Sequence, residues 1–187
     1  MADRARARRD DRRARYTKMV IHDAFLDLLE SEGFDKMSVT DICKRADVNR
    51  GTFYLHYEDK YALLDELIDE ALDNVAVVEP EGELPLCQRV PEQGKYRLLF
   101  TDPDLLARLT RHIIERGADA AIPQIMKRTG LGRDDAYSLF IFIANGNIAL
   151  NQALGWKHNL KLEHAHELVN VFTDSGLDAL RQLGTRR

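Results

Sequence analysis

From Ser38 to Lys60 the sequence reads SVTDICKRADVNRGTFYLHYEDK, and it places two helix starts in quick succession. Ser38 can accept from the free amides of a first helix, with Asp41 three residues on closing a weak capping box, because Asp is shorter than the usual Glu. Val39, Ile42, Cys43 and Ala46 then fall at i, i+3, i+4 and i+7, giving a short amphipathic helix packed from one side. Asp47 stands where the chain must turn sharply and tolerates left-handed backbone better than most residues. Asn49 is positioned to cap a second helix opening at Arg50. Gly51 is costly inside a helix and sensible where the backbone must come close to another surface. So little chain between two capped starts allows one arrangement, a pair of short helices around a tight turn.

The flanking sequence is helical in period throughout, and no segment alternates as a strand does. A helix from about Tyr16 to Glu32 puts Ile21, Phe25, Leu28 and Leu29 on one stripe, with Gly33 as its stop; it would roof the two short helices. Lys60 to about Val78 forms a long helix with Leu63, Leu64, Leu67, Ile68, Ala71 and Leu72 inward. Glu79–Gly94, EPEGELPLCQRVPEQG, holds three of the five prolines and reads as a linker or irregular loop. Further helices are expected at about Lys95–Phe100, Asp104–Arg116, Asp119–Arg128, Arg133–Trp156 and Leu160–Leu183. The expectation is an all-α chain with a basic arm over 1–15, a three-helix unit over 16–60, a connecting helix over 60–78 and a second helical unit over 79–187.

V-N-R-G-T-F-Y-L-H-Y-E-D-K, preceded by G-F-x-x-x-S-V-x-x-I, resembles the DNA-binding domain of the TetR family of bacterial transcriptional regulators. The resemblance spans about Thr17 to Leu67, with Gly33, Phe34, Ile42, Ala46, Val48, Gly51, Thr52, Tyr54, His56, Tyr57, Lys60 and Leu63 at the family's spacing. The chain departs from the usual pattern at Cys43, Asp47 and Asn49, where Ala, Gly and Ser are common. The resemblance implies a homeodomain-like helix-turn-helix domain joined to a C-terminal helical domain for ligand binding and dimerisation. It implies a dimeric regulator, a repressor released from a palindromic operator by a small-molecule effector. The other reading is an adaptor or co-activator of the same fold that acts through a protein partner.

Charge distribution agrees with a DNA-reading head. The chain carries a formal net charge of −4, yet residues 1–18 hold eight Lys/Arg against three Asp, and residues 61–187 hold fourteen against nineteen acidic residues. Phosphate contacts supply affinity and base contacts supply specificity. Lys60, at a helix start, can add its charge to the positive helix dipole and hold a phosphate. His56, Tyr54 and Tyr57 offer donors nearby. By resemblance, Tyr54, His56 and Lys60 grip the backbone while Thr40, Arg50, Gly51 and Thr52 approach base edges; Ser38 and Asn49 complete the candidate set at the helix starts. Arg50 is suited to guanine O6 and N7, and Thr52 can offer a methyl to thymine. Each residue has a plainer reading: Arg50 as a solvated helix start, Tyr54 and Tyr57 as core aromatics, His56 bonded to a carbonyl. Phe53 is expected in the core. For the arm, Arg4, Arg6, Arg8, Arg9, Arg12, Arg13 and Arg15 suit a solvated tail as well as groove or phosphate contact.

A lone helix-turn-helix buries little surface, so such proteins usually pair across two half-sites. The candidate dimer face comprises Phe142, Gly146, Ala149, Leu150, Ala153 and Trp156 on one helix with Leu168, Val169, Phe172 and Leu180 on the next. Tyr96, Phe100, Leu105, Leu109, Ile113, Ile125, Met126 and Phe142 are candidate lining for an effector pocket, although such a set at helical spacing also describes plain core. Catalysis has little support. There is no Gly-rich phosphate loop, nucleophile elbow or CxxC, and His164 and His166 are two apart, unlike the i, i+4 pair of a helical metal site. Neither cofactor nor metal is expected. Two cysteines, Cys43 and Cys87, make no disulfide framework and fit a reducing cytoplasm. Tyr137–Trp156 has nearly the length of a membrane span, but Asn145, Asn147, Asn151 and Gln152 would be expensive in hydrocarbon. It reads as a buried helix.

Overall fold

The computed structural model describes residues 2–78, 96–156 and 159–184, with side chains over 11–73, 96–156 and 159–181. The linker predicted at Glu79–Gly94 falls wholly outside these, as do the side chains of Arg4, Arg6, Arg8, Arg9, Cys87, His158 and Leu183. All regular structure among the described residues is helical: α1 (Ala2–Glu32), α2 (Val39–Arg45), α3 (Arg50–Tyr54), α4 (Lys60–Val78), α5 (Arg97–Thr101), α6 (Leu106–Thr129), α7 (Arg133–Ala153) and α8 (Leu160–Gly184). The fold is the expected all-α one. The chain divides into two compact units, Met1–Glu70 and Ala71–Arg187, with the boundary inside α4.

In the first unit, the helix predicted from about Tyr16 extends back to Ala2. Ala and Arg are strong helix formers, and Arg15 pairs with Asp11 one turn away at 2.8 Å. The stripe Ile21, Phe25, Leu28 and Leu29 is buried, together with Phe34, Ile42, Cys43, Phe53, Leu63, Leu64 and Leu67. Full burial of each such side chain stabilises by about 1.5–3 kcal/mol. Gly33 ends α1 at φ +80 and donates to Leu29 O at 3.2 Å, a left-handed stop that a Cβ would strain. The capping box forms as the sequence suggests: Ser38 Oγ accepts from the Asp41 N–H, and Ser38 N–H donates to Asp41 Oδ2 at 3.0 Å. Asp47 makes the turn at φ 53. Asn49 Oδ1 caps α3, accepting from the Thr52 N–H at 2.7 Å.

In the second unit, α6 packs on α5, α7 and α8. Two helices, at about Asp104–Arg116 and Asp119–Arg128, were expected where α6 runs unbroken through Gly117. Gly117 has a tertiary role there. A Cβ at Gly117 would lie 2.9 Å from Phe140 Cζ, so the missing side chain is what lets α7 close on α6. Phe140 belongs to a core with Ile122, Ile125, Ala136 and Ala144. Arg128 of α6 ties α8 through Asp178 at 2.8 Å and through Asp174. α7 stops at Ala153 rather than Trp156. Gly155 at φ +71 donates to Gln152 O at 3.1 Å and Trp156 donates to Asn151 O at 2.9 Å, the paired bonds of a Schellman stop. Arg97 Nη1 donates to Trp156 O at 3.1 Å, satisfying a carbonyl beyond that stop. Among the described residues no helix is long and apolar enough to cross a membrane. Asn147 and Asn151 of α7 are buried, and Asn151 Oδ1 lies 2.8 Å from His166 Nε2 of α8.

Candidate nucleic-acid interface

α3 is a single turn and a half, held by its cap on one side and by Phe53 on the other. Phe53 is fully buried, as expected, and this leaves Arg50, Gly51 and Tyr54 exposed with Thr52 half-buried. Thr52 Oγ1 donates to Asn49 Oδ1 at 3.1 Å, which orients the Thr52 side chain. Gly51 has a local reason as well as an external one: a Cβ there would come within 3.2 Å of the same Asn49 oxygen. Arg50 Nη2 donates to Tyr54 Oη at 3.2 Å and its guanidinium lies 5.8 Å from the Tyr54 ring centroid. The phenol accepts in that bond, so its own proton remains for an acceptor such as a phosphate oxygen. Thr40 and Ser38 are exposed at the start of α2, with Ser38 Oγ 2.5 Å from Asp41 Oδ2. His56 is half-buried in the turn after α3, its ring 6.3 Å from that of Tyr57.

Two predicted contacts belong to the interior. Tyr57 is 4% exposed, and its Oη sits 2.8 Å from His22 Nε2 and 3.2 Å from Glu66 Oε1. Its plainer reading as a core aromatic is the correct one. Burial and the Glu66 carboxylate push the phenol well above its ordinary pKa, so it stays protonated. Lys60 is the second correction. Its Nζ donates to Phe34 O at 2.9 Å and Met37 O at 3.0 Å, with Asp35 O at 3.5 Å, and it lies 4.3 Å from the Phe34 ring centroid. The ammonium closes the loop between α1 and α2 instead of reaching outward as a phosphate clamp. The N-terminus of α4 is capped by Asp59, whose Oδ1 accepts from the Tyr61 and Ala62 amides at 2.8 Å. An acid there opposes an anion.

Sequence reasoning passed over Leu55, which is 82% exposed beside Tyr54. The signal was available in the alternation of the segment: Phe53 turns inward, so residues one and two later on a short helix turn away from the core. It passed over His22 too, which is buried on the apolar face of α1. No local pattern marks a histidine among Ile21, Ala24 and Phe25, because its partners Tyr57, Glu66 and Glu70 lie far along the chain.

Residues 21–67 match the profile of a family described as bacterial regulatory proteins, tetR family. Those residues, 47 of the 187, are similar to the N-terminal domain of TetR-family regulators. It is 30% identical over 89 residues to YxbF of Bacillus subtilis, an uncharacterized HTH-type transcriptional regulator, covering 45% of this chain and 23% of that protein. It is 33% identical over 75 residues to AcrR of Shigella flexneri, an HTH-type transcriptional regulator, covering 40% of this chain and 35% of that protein. The chain therefore aligns with about a quarter to a third of the length of these relatives. A TetR transcriptional regulator from Streptococcus agalactiae has the same fold, with a TM-score of 0.65 at 22% identity over 89% of this chain and 98% of that one.

The apolar residues of the second unit separate into buried and exposed sets. Phe100, Leu105, Leu109, Ile113 and Ile125 of the candidate pocket are buried, while Tyr96 and Met126 are half-buried. Phe142 is 70% exposed and does not line a pocket. Trp156, expected on the dimer face, is 4% exposed and stands edge-on to Phe100 at 6.1 Å. The remaining expected face residues divide by turn of the helix. On α7, Phe142, Gly146, Ala149 and Ala153 are exposed, at i, i+4, i+7 and i+11, and Leu150 is half-buried. On α8, Leu168 and Phe172 are exposed with Gly176 and Ala179 in the same row, while Val169 and Leu180 turn partly inward. Among the described residues no group of His, Cys, Asp and Glu is placed to hold a metal ion.

Proposed function

We propose that this chain is a dimeric, sequence-specific DNA-binding regulator that represses by occupying a palindromic operator and is released by a small-molecule effector. The observation that carries the DNA-binding part is α3 itself, a capped helix whose outer surface is Arg50, Gly51, Thr52 and Tyr54, within the matched residues 21–67. Arg50 reads base edges, Thr52 and Leu55 offer apolar contact to thymine or sugar, and Tyr54 with His56 grips phosphate. The exposed rows on α7 and α8 support pairing of two copies, since one short recognition helix covers too few base pairs to be selective. Phe100, Leu105, Leu109 and Ile113 are the apolar surface that an effector would have to engage. It releases DNA only by binding the non-reading geometry more tightly than the reading one.

The test is a mobility shift with duplex from the region upstream of the chain's own gene, against unrelated duplex of equal length, over a range of salt. A retarded band that prefers the upstream duplex and weakens steeply with salt supports the reading. No retardation at low salt sinks it.

A further inference from the structure

His22 is the one buried residue of the first unit, among those described, with a side chain that ordinarily titrates near neutral pH. Four ionisable groups face it: Lys18 on its own helix, Tyr57 in the turn after α3, and Glu66 and Glu70 on α4. Nδ1 is 3.1 Å from Glu70 Oε2, and Nε2 is 2.8 Å from Tyr57 Oη and 3.4 Å from Glu66 Oε1. Lys18 Nζ donates to both oxygens of Glu66, at 2.9 and 2.8 Å, so that carboxylate already has a cationic partner. The protons can then be counted. A neutral imidazole with its hydrogen on Nδ1 donates to Glu70, and its Nε2 lone pair accepts the Tyr57 O–H. A second ring proton removes that lone pair, forces the phenol to redirect its hydrogen toward Glu66, and puts a full charge on a side chain that is 9% exposed.

We propose that His22 is a positioning residue of the DNA-reading head: as a neutral imidazole it ties the end of the recognition helix, through Tyr57, to α4, through Glu70, and its protonation weakens that tie by reversing the Tyr57 bond and charging a buried ring. The inference rests on the reading role proposed for α3. Tyr57 transmits the tie because its ring packs 5.5 Å from that of Phe53, the buried residue of α3. The direction of the effect follows from burial, which lowers the proton affinity of His22 against the opposing pull of Glu70 and Glu66. With the folded pKa below the ordinary value of about 6.5, a released or unfolded head binds more protons in the window between the two. Stability is full above that window and is lost as pH falls through it.

The experiment measures DNA affinity by fluorescence anisotropy from pH 7.5 to 5.5 at fixed ionic strength, for the full chain and for His22→Gln. Glutamine keeps one donor and one acceptor and cannot titrate. Any other group whose charge changes over this range is present in both proteins, so the ratio of their affinities cancels its effect. The ratio of wild-type to variant affinity should fall about three- to tenfold on acidification, in line with a population that changes about tenfold per pH unit below a pKa. A ratio independent of pH overturns the proposal. Two arms need no DNA: the melting temperature of the wild type should drop below that of the variant as pH falls, and NMR should find the His22 ring titrating below 6.5. A His22 midpoint above 6.5 also overturns it. Should His22→Gln fail to fold, Tyr57→Phe keeps the ring and removes the O–H that the neutral imidazole accepts. Its His22 midpoint should rise, and an unchanged midpoint counts against the tie. Absence of DNA binding at every pH would remove the reading role and leave these DNA-free measurements to judge His22.

Discussion

Lys60 places its ammonium among the carbonyls of Phe34, Asp35 and Met37, over the face of Phe34. Methionine at that position preserves the reach over the ring and removes every donor, leaving two half-buried carbonyls without their cation. Lys60→Met should cost about 1–3 kcal/mol, read as a lower urea midpoint with an unchanged slope, while the folded fraction keeps its DNA affinity. An unchanged midpoint with lost affinity would restore the phosphate-clamp reading. Arg50 predicts the reverse pattern. It is exposed and makes its described bond to Tyr54 within its own helix, so Arg50→Ala should leave the midpoint within about 0.5 kcal/mol. The same change should narrow the affinity difference between the preferred duplex and a base-substituted one by about 1–3 kcal/mol. A uniform loss across all duplexes would assign Arg50 to phosphate instead.

At the level of elements, local chemistry decides starts and stops. The Ser38–Asp41 box, the Asn49 cap, the left-handed Asp47 and the Gly33 stop each involve residues within about four positions of one another, and all were legible in the sequence. The unbroken run of α6 through Gly117 was missed for the complementary reason. A glycine in isolation signals weakness, and only the approach of Phe140 from α7 reveals it as a packing site inside one continuous helix. Gly117→Ala should therefore destabilise although alanine is the better helix former, by about 1–3 kcal/mol, because the new methyl overpacks the Phe140 ring. Combining it with Phe140→Leu should recover part of the loss in a double-mutant cycle of unfolding free energies. Full additivity would mean that the two positions do not press on each other.

For the whole molecule, the question is what covers the apolar rows of α7 and α8. Phe142 and Phe172 are 70% and 72% exposed, Leu168 is 58% exposed, and Gly146 and Gly176 have open space where a Cβ would project. Isolated exposed apolar residues are ordinary, whereas rows on consecutive helices fit an isologous contact in which small residues admit close approach. Phe142→Glu with Phe172→Glu should convert a dimer to a monomer in sedimentation velocity with little change in helical signal. It should also weaken binding to a two-half-site duplex at least tenfold, a loss of about 1.4 kcal/mol or more. A variant that sediments as the wild type does would exclude these rows as the interface.

The sequence by itself determined the helical class, the two capped helices of the first unit and the family profile that they match, since these depend on hydrogen bonds and periodicities that close within a turn or two. It did not determine where the chemistry of that unit points. Lys60 meets its carbonyl partner 26 residues back, and Tyr57 meets His22 35 residues back, each trading an outward donor for an interior bond. Trp156 turned inward and Phe142 outward on the same grounds. A polar or aromatic side chain takes whichever partner the folded chain brings within reach, and only the tertiary structure decides which one that is.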